Sequence, residues 1–143
     1  VGEDMNVITR EIYIETRGDC DIIDITPDVA SALEKSEIDS GTVTVFITGS
    51  TAGVTTVEYE PGLVQDLKNA FDRIIPQNMN YNHDMRWHDG NGHAHVRASL
   101  LGASLVVPFN NRKMELGTWQ QIIVMDFDNR PRKRNILLQI MGE

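Results

Sequence analysis

Short runs of alternating apolar and polar residues, rich in Val, Ile and Thr, are punctuated by Gly, Pro, Asn and Asp along this chain. That period-two pattern predicts strands joined by tight turns. Residues 7–16 predict a strand with Ile8, Ile12 and Ile14 on one side, and Arg17-Gly18-Asp19 a turn. Residues 20–25 predict a second, half-buried strand. Thr26 then offers an N-cap and Pro27 a first helical position, and Val29, Ala30 and Leu33 give that helix its apolar side. Residues 42–48 are β-branched and apolar, as in a central strand. The glycines of 49–53 suit a bulge or tight bend, after which 54–58 resumes the strand. Leu63, Leu67, Ala70, Phe71 and Ile74 recur at helical spacing between Pro61 and Pro76. Residues 77–94 read as a polar loop, and 96–101 fits a strand or a short helix equally. Residues 104–109, 118–127 and 134–140 predict three more strands, with turns at Asn110-Asn111-Arg112 and Asp128-Asn129-Arg130-Pro131. The sum is an α+β fold: a mostly antiparallel, β-sandwich-like (jelly-roll-like) single domain over 1–143 with two helices.

Composition narrows the partners. The chain carries 21 acidic against 13 basic residues in 143, a formal charge of -8, which opposes general nucleic-acid binding. Cys20 is the only cysteine, so neither an intrachain disulfide nor a cysteine-rich metal site forms, as expected in the reducing cytoplasm. The acidic start, Val1-Gly2-Glu3-Asp4, lacks the pattern of a signal peptide, and no apolar run is long enough to span a membrane.

Candidate chemistry concentrates in one stretch. All four histidines lie between residues 83 and 95, interleaved with Asp84 and Asp89. Imidazoles beside carboxylates bind transition metals or move protons near neutral pH. His83 lies in the loop, and His95 opens an apolar strand, from which it can point into a pocket; the alternative is a pair of surface or hydrogen-bonded structural histidines. His93 and His95 share a face if the segment is a strand. Zinc is the simplest metal for such a nitrogen and carboxylate set. Glu58 ends an apolar stretch and is either a working carboxylate or a solvated strand end. In Gly117-Thr118-Trp119-Gln120, Trp119 offers a flat ring and Gln120 a donor and acceptor, suited to a nitrogen heterocycle; the alternative is a core tryptophan. Arg130, Arg132 and Arg134, with Lys133, form the one basic cluster, read as a phosphate clamp or a solvated turn. Ser50 and Thr51, between glycines, can add hydroxyl and N–H donors to an anion. No phosphate-loop, dinucleotide or serine-hydrolase fingerprint is present.

The run from Ser99-Leu100-Leu101-Gly102-Ala103-Ser104 through Gly117-Thr118-Trp119-Gln120 resembles the signature of the YjbQ family, an uncharacterised family (UPF0047) to which a secondary thiamine-phosphate synthase activity is attributed. Ser50-Thr51-Ala52 with Glu58, Tyr81-Asn82-His83-Asp84, His95 and the closing strand match as well. The resemblance implies a compact α+β domain, a homotrimer, and a pocket near the subunit boundary that often holds a metal. It carries His83, His95 and Glu58 over as polar pocket positions, and Trp119 and Gln120 as signature residues. Many members place a histidine just before the Ser/Thr-Thr-Ala segment; here that position is Gly49, which removes one ligand or proton carrier that His88 or His93 would have to replace. The implied function is a transferase acting on phosphorylated heterocycles in a metal-assisted pocket, with Glu58, His83, His95 and Gln120 catalytic. Ser50, Thr51, Trp119, Arg130, Arg132 and Arg134 would bind substrate, and His83 and His95 the divalent metal. Two other classes fit the same residues: a non-catalytic protein that binds a small anionic metabolite, and a metal-dependent phosphatase-like hydrolase.

Overall fold

The computed structural model describes residues 4–143, so the first three residues of the acidic start lie outside it. Two antiparallel sheets curl around a shared core as a half-barrel, in an α+β fold. The larger has the order β1 (Asn6–Thr16), β8 (Arg132–Gly142), β3 (Gly41–Ile47), β5 (Ser104–Asn110) and β6 (Lys113–Met114). The smaller is β2 (Asp21–Asp24), β7 (Gln121–Asp126) and β4 (Ala52–Val57).

The burial pattern explains each strand's composition. In β8, Arg134, Ile136, Leu138 and Ile140 point inward at every second position while Lys133 and Gln139 face out. On the edge strand β1, Ile8, Ile12 and Ile14 pack against the core from one side, as their spacing predicts. β7 does not alternate in polarity because both of its faces are covered. Ile122 and Val124 enter the core between the sheets, whereas Ile123 and Met125 face a second core built with helices α2 (Pro61–Ile74) and α4 (Gly92–Leu101). Each such fully buried side chain contributes about 1.5–3 kcal/mol. The layers therefore run from large sheet to small sheet to helices, and β7 joins the two cores.

Several local expectations are revised. Four helices, not two, stand among the described residues. The polar stretch 77–94 contains α3 (Asn82–Trp87) and the start of α4, and 96–101 is helical. Its polarity reflects a short helix with a solvent-facing side, which composition alone does not separate from a loop. In α1 (Thr26–Ser36), Thr26 does not cap the helix: its hydroxyl accepts the Ile122 N–H at 2.8 Å, and the Thr26 N–H goes to Asp24 Oδ1 at 2.9 Å. Val29 and Leu33 of α1 are buried as expected, but Ala30 is exposed and Ala32 packs on the core instead. On α2, Leu67 and Phe71 pack inward while Ile74 faces solvent. Glu60 caps α2, accepting the N–H groups of Gly62 and Leu63 at 2.8 Å each. Residues 49–53 are no bulge within one strand, since β3 and β4 belong to different sheets and the glycine-bounded segment carries the chain across. Thr118 and Trp119 form a turn, and β7 begins at Gln121.

Candidate functional site

The histidine region is a helix–turn–helix folded over its own carboxylates. α3 ends where His88 adopts a left-handed backbone (φ 55°) and donates its N–H to Asp84 O. The turn continues through Gly90 at φ 69°, and α4 starts at Gly92, whose N–H is accepted by Asp84 Oδ1 at 2.9 Å. Burial pushes the Asp84 carboxyl up, but the Gly92 N–H and His83 outweigh it and hold Asp84 below the usual value.

His83 Nδ1 lies 3.3 Å from Asp84 Oδ1 and 3.5 Å from Asp89 Oδ1. One ligand atom from each of His83, Asp84 and Asp89 falls within 4.8 Å of the others, a spacing that one cation can bridge. An imidazole with two carboxylates is a donor set for zinc, manganese or a similar divalent ion, so these residues fit a metal. The His95 ring stands 4.3 Å from that of His83, tilted by 42°. His83 and His95 are thus neighbours as expected, while Asp89 joins the set by geometry alone. The strand placement of His95 is corrected: it sits on α4, where a two-residue step turns about 200°. His93 and His95 therefore face apart. His93 is buried to 1% exposure against the second core, and its Nδ1 has no hydrogen-bond partner among the described residues. His88 is exposed and lines an open groove of about 600 Å³ with Met79, Tyr81, Asp84 and Met85.

The basic cluster divides. Arg134, 7% exposed, donates Nε to Asp126 Oδ2 at 2.7 Å and Nη2 to Asp126 Oδ1 at 2.9 Å and to Thr51 Oγ1 at 2.6 Å. The Thr51 hydroxyl in turn donates to Asp128 Oδ2 at 2.9 Å, which also accepts Arg132 Nε–H at 2.9 Å. Arg132, Arg134 and Thr51 thus donate to two fully buried aspartates, while of the residues read as a phosphate clamp Arg130 and Ser50 are exposed and Arg132 is part-exposed. A buried charge needs a partner, and these arginines are the partners of Asp126 and Asp128. The sequence holds one hint, an Asp-x-Asp pair at the end of an apolar stretch followed closely by an Arg-x-Arg pair, but not that the two pairs meet.

Trp119 is 72% exposed, which removes the core alternative. Gln120 shapes that turn, accepting the Gly117 N–H at 3.0 Å and donating to Thr56 Oγ1 at 3.2 Å. It lines a cleft of about 300 Å³ with Leu101, Val106 and Glu115. Glu58 is exposed at the end of β4. Among the described residues no hydrogen bond joins Gln120 or Glu58 to His83.

Fold and site together define a two-sheet α+β protein with a histidine–aspartate cluster able to hold a metal ion. A family described as UPF0047 protein YjbQ-like matches residues 10–143, and the chain belongs to that family. A UPF0047 protein of Methanothermobacter thermautotrophicus is 37% identical, over 97% of this chain and 95% of its own. YugU of Bacillus subtilis is 34% identical over 93% and 98%. The crystal structure of a YbjQ-like protein of unknown function from Sulfolobus solfataricus has a TM-score of 0.92 at 34% identity, covering 97% of this chain and 99% of that one. A hypothetical protein of Aeropyrum pernix has a TM-score of 0.89 at 28% identity, covering 95% and 99%.

Proposed function

We propose that this protein is a metal-dependent transferase acting on a phosphorylated heterocycle, as in thiamine-phosphate synthesis. The observation that carries the reading is the His83–Asp84–Asp89 cluster, which shares Asp84 with the groove beside α3. In such a reaction a thiazole nitrogen displaces pyrophosphate from a pyrimidine's methylene carbon: a C–N bond forms and a C–O bond breaks. A divalent ion, zinc in the simplest case, would supply positive charge to the leaving pyrophosphate. His83, Asp84 and Asp89 would hold that ion, and the His95 ring, next to that of His83, would keep His83 in place and carry a proton beside it. Exposed Arg130 and Ser50 would contact phosphate, and Arg132, Arg134 and Thr51 would hold that loop in shape. Trp119 would cover a flat ring, its turn set by Gln120, and Glu58 would supply a solvent-facing carboxylate.

These groups lie apart on one protomer, which a homotrimer of single-domain chains would remedy by bringing one subunit's Trp119 turn to another's histidine cluster. Exposed Val7, Tyr13, Phe46, Val106 and Met141 on the large sheet give such an assembly apolar surface to cover. The single reduced cysteine supports action in the cytoplasm; no helix among the described residues is long and apolar enough to cross a membrane.

A second reading is a non-catalytic binding protein for a small anion, which uses the same residues without a nucleophile of the protein's own. Burial pushes the only thiol, Cys20, up to about 11, so no activated cysteine is available for covalent chemistry. Metal analysis separates the readings first. About one divalent ion per chain in the native protein and none in His83→Ala/His95→Ala supports the transferase, and pyrophosphate release from the paired substrates then completes the case. A protein that neither carries nor takes up metal refutes it, and tight phosphate binding without turnover leaves the binding protein.

A further inference from the structure

We propose that the turn between β7 and β8 is the scaffold of the metal cluster, with Asn129 as its positioning residue: the hydrogen bond from Asn129 to the Asp89 main chain sets cation affinity. The inference rests on the metal reading above and adds a residue group about 40 positions away in sequence that touches no ligand atom.

Asp89 sits in a turn that has little to hold it from within. Its flanks, His88 and Gly90, both have positive φ, at 55° and 69°, and only the latter is glycine. A non-glycine residue in that conformation costs energy and persists where its surroundings impose it. The one bond within the turn to the Asp89 side chain is from the Asn91 N–H to Oδ1 at 3.2 Å. The remaining constraint comes from outside. Asn129 Nδ2 donates to the Asp89 carbonyl oxygen at 2.6 Å, and the Asn129 N–H is accepted by Asn91 Oδ1 at 2.9 Å. Asn91 Nδ2 in turn reaches Asp128 Oδ1 at 3.2 Å, and Asp128 is fully buried and fastened by Thr51 and Arg132. A side chain at Gly90 would stand 3.2 Å from Asn129 Nδ2, so the turn lies directly against this asparagine. The chain of contacts runs from a buried carboxylate through two asparagines to the ligand loop, and the same Asn91 begins α4, whose Gly92 N–H orients Asp84. Partners of metal ligands act in this way: they fix orientation, and their removal typically lowers metal affinity about 10–100-fold.

The test uses Co2+ as the probe, titrated into the metal-stripped full-length protein and followed by its visible absorption. Asn129 is part-exposed, so Asn129→Ala leaves the fold and the apo-protein's melting temperature in place, which thermal unfolding checks. The expected result is that parent protein binds Co2+, His83→Ala does not, and Asn129→Ala binds about 10–100-fold more weakly with an altered absorption spectrum. Asn91→Asp, which keeps the acceptor for the Asn129 N–H but loses the donor to Asp128, is expected to fall in the same direction. Parent-like affinity and spectrum in Asn129→Ala, with His83→Ala still silent, overturns the scaffold and leaves the metal site standing. Failure of the parent to bind Co2+ overturns both.

Discussion

Arg134 and Asp126 form a fully sequestered ion pair, with Nε 2.7 Å from Oδ2 and Nη2 2.9 Å from Oδ1. This two-pronged contact joins β8 of the large sheet to the end of β7 in the small one, and Thr16 of β1 adds a third bond to the same carboxylate at 2.6 Å. Removing one partner strands the other charge in a low-dielectric site. Arg134→Ala is expected to lose about 3–5 kcal/mol of stability, and Arg130→Ala, an exposed truncation, less than about 0.5 kcal/mol. Denaturant unfolding of the two variants measures the difference. Equal, small losses would refute the structural assignment of Arg134.

The same guanidinium explains the glycine at position 49. Gly49 has φ 116°, and a Cβ there would lie 2.7 Å from Arg134 Nη1. Gly49→His, which places there the residue that many family members are expected to carry, puts a side chain on left-handed backbone and presses on Arg134 Nη1, next to the Nη2 that holds Asp126. The expected result is destabilisation by about 2 kcal/mol or more, read as a lowered unfolding midpoint, with no gain in metal affinity. A stable Gly49→His variant that binds metal more tightly would show that the loop re-forms around the new ligand.

His93 gives stability a pH dependence. Burial, then the neighbouring Arg97, hold its imidazole below the ordinary value, against weaker opposing pulls from the Gly90 carbonyl, Asp84 and Asp19. The unfolded chain therefore takes up this proton first as pH falls. The stabilisation is complete above about 6.5 and is lost as pH falls toward the folded value. His93→Gln should flatten that part of the profile relative to the parent. Urea unfolding at pH 7.5 and pH 5 checks it; parallel profiles for parent and variant would count against a neutral buried His93.

Trp119 separates stability from recognition. As an exposed side chain on a turn, it can be truncated to alanine within about 0.5 kcal/mol of parent stability. If it covers a flat ring, binding of thiamine phosphate measured by calorimetry falls about two- to tenfold. Unchanged affinity together with a lower solution mass than the parent's would instead make it an interface residue.

The sequence by itself determined every strand but the two-residue β6, and for β1 the inward face of Ile8, Ile12 and Ile14, because a β-strand repeats every two residues and each apolar position carries its own direction. It also marked 118–127 as an apolar strand, but that β7 is covered on both sides, Ile122 and Val124 in one core and Ile123 and Met125 in the other, came from the fold. Helices α1 and α2 were legible from the three-to-four spacing of Val29 and Leu33, and of Leu67 and Phe71. The histidine segment was legible as a place but not as a shape, since α3 and α4 there are short, and α4 packs through small Ala94 and Ala98 rather than an apolar stripe. Only the tertiary structure decided which charges work and which support. Arg132 and Arg134 read as a surface cluster until the fold buried Asp126 and Asp128 beside them, and Asp89 became a ligand candidate only when the turn at Gly90 brought it to His83. Local patterns follow from backbone periodicity and propagate along the chain. Charge pairing depends on distance in space, and residues 51, 91 and 128 meet only after both sheets have closed.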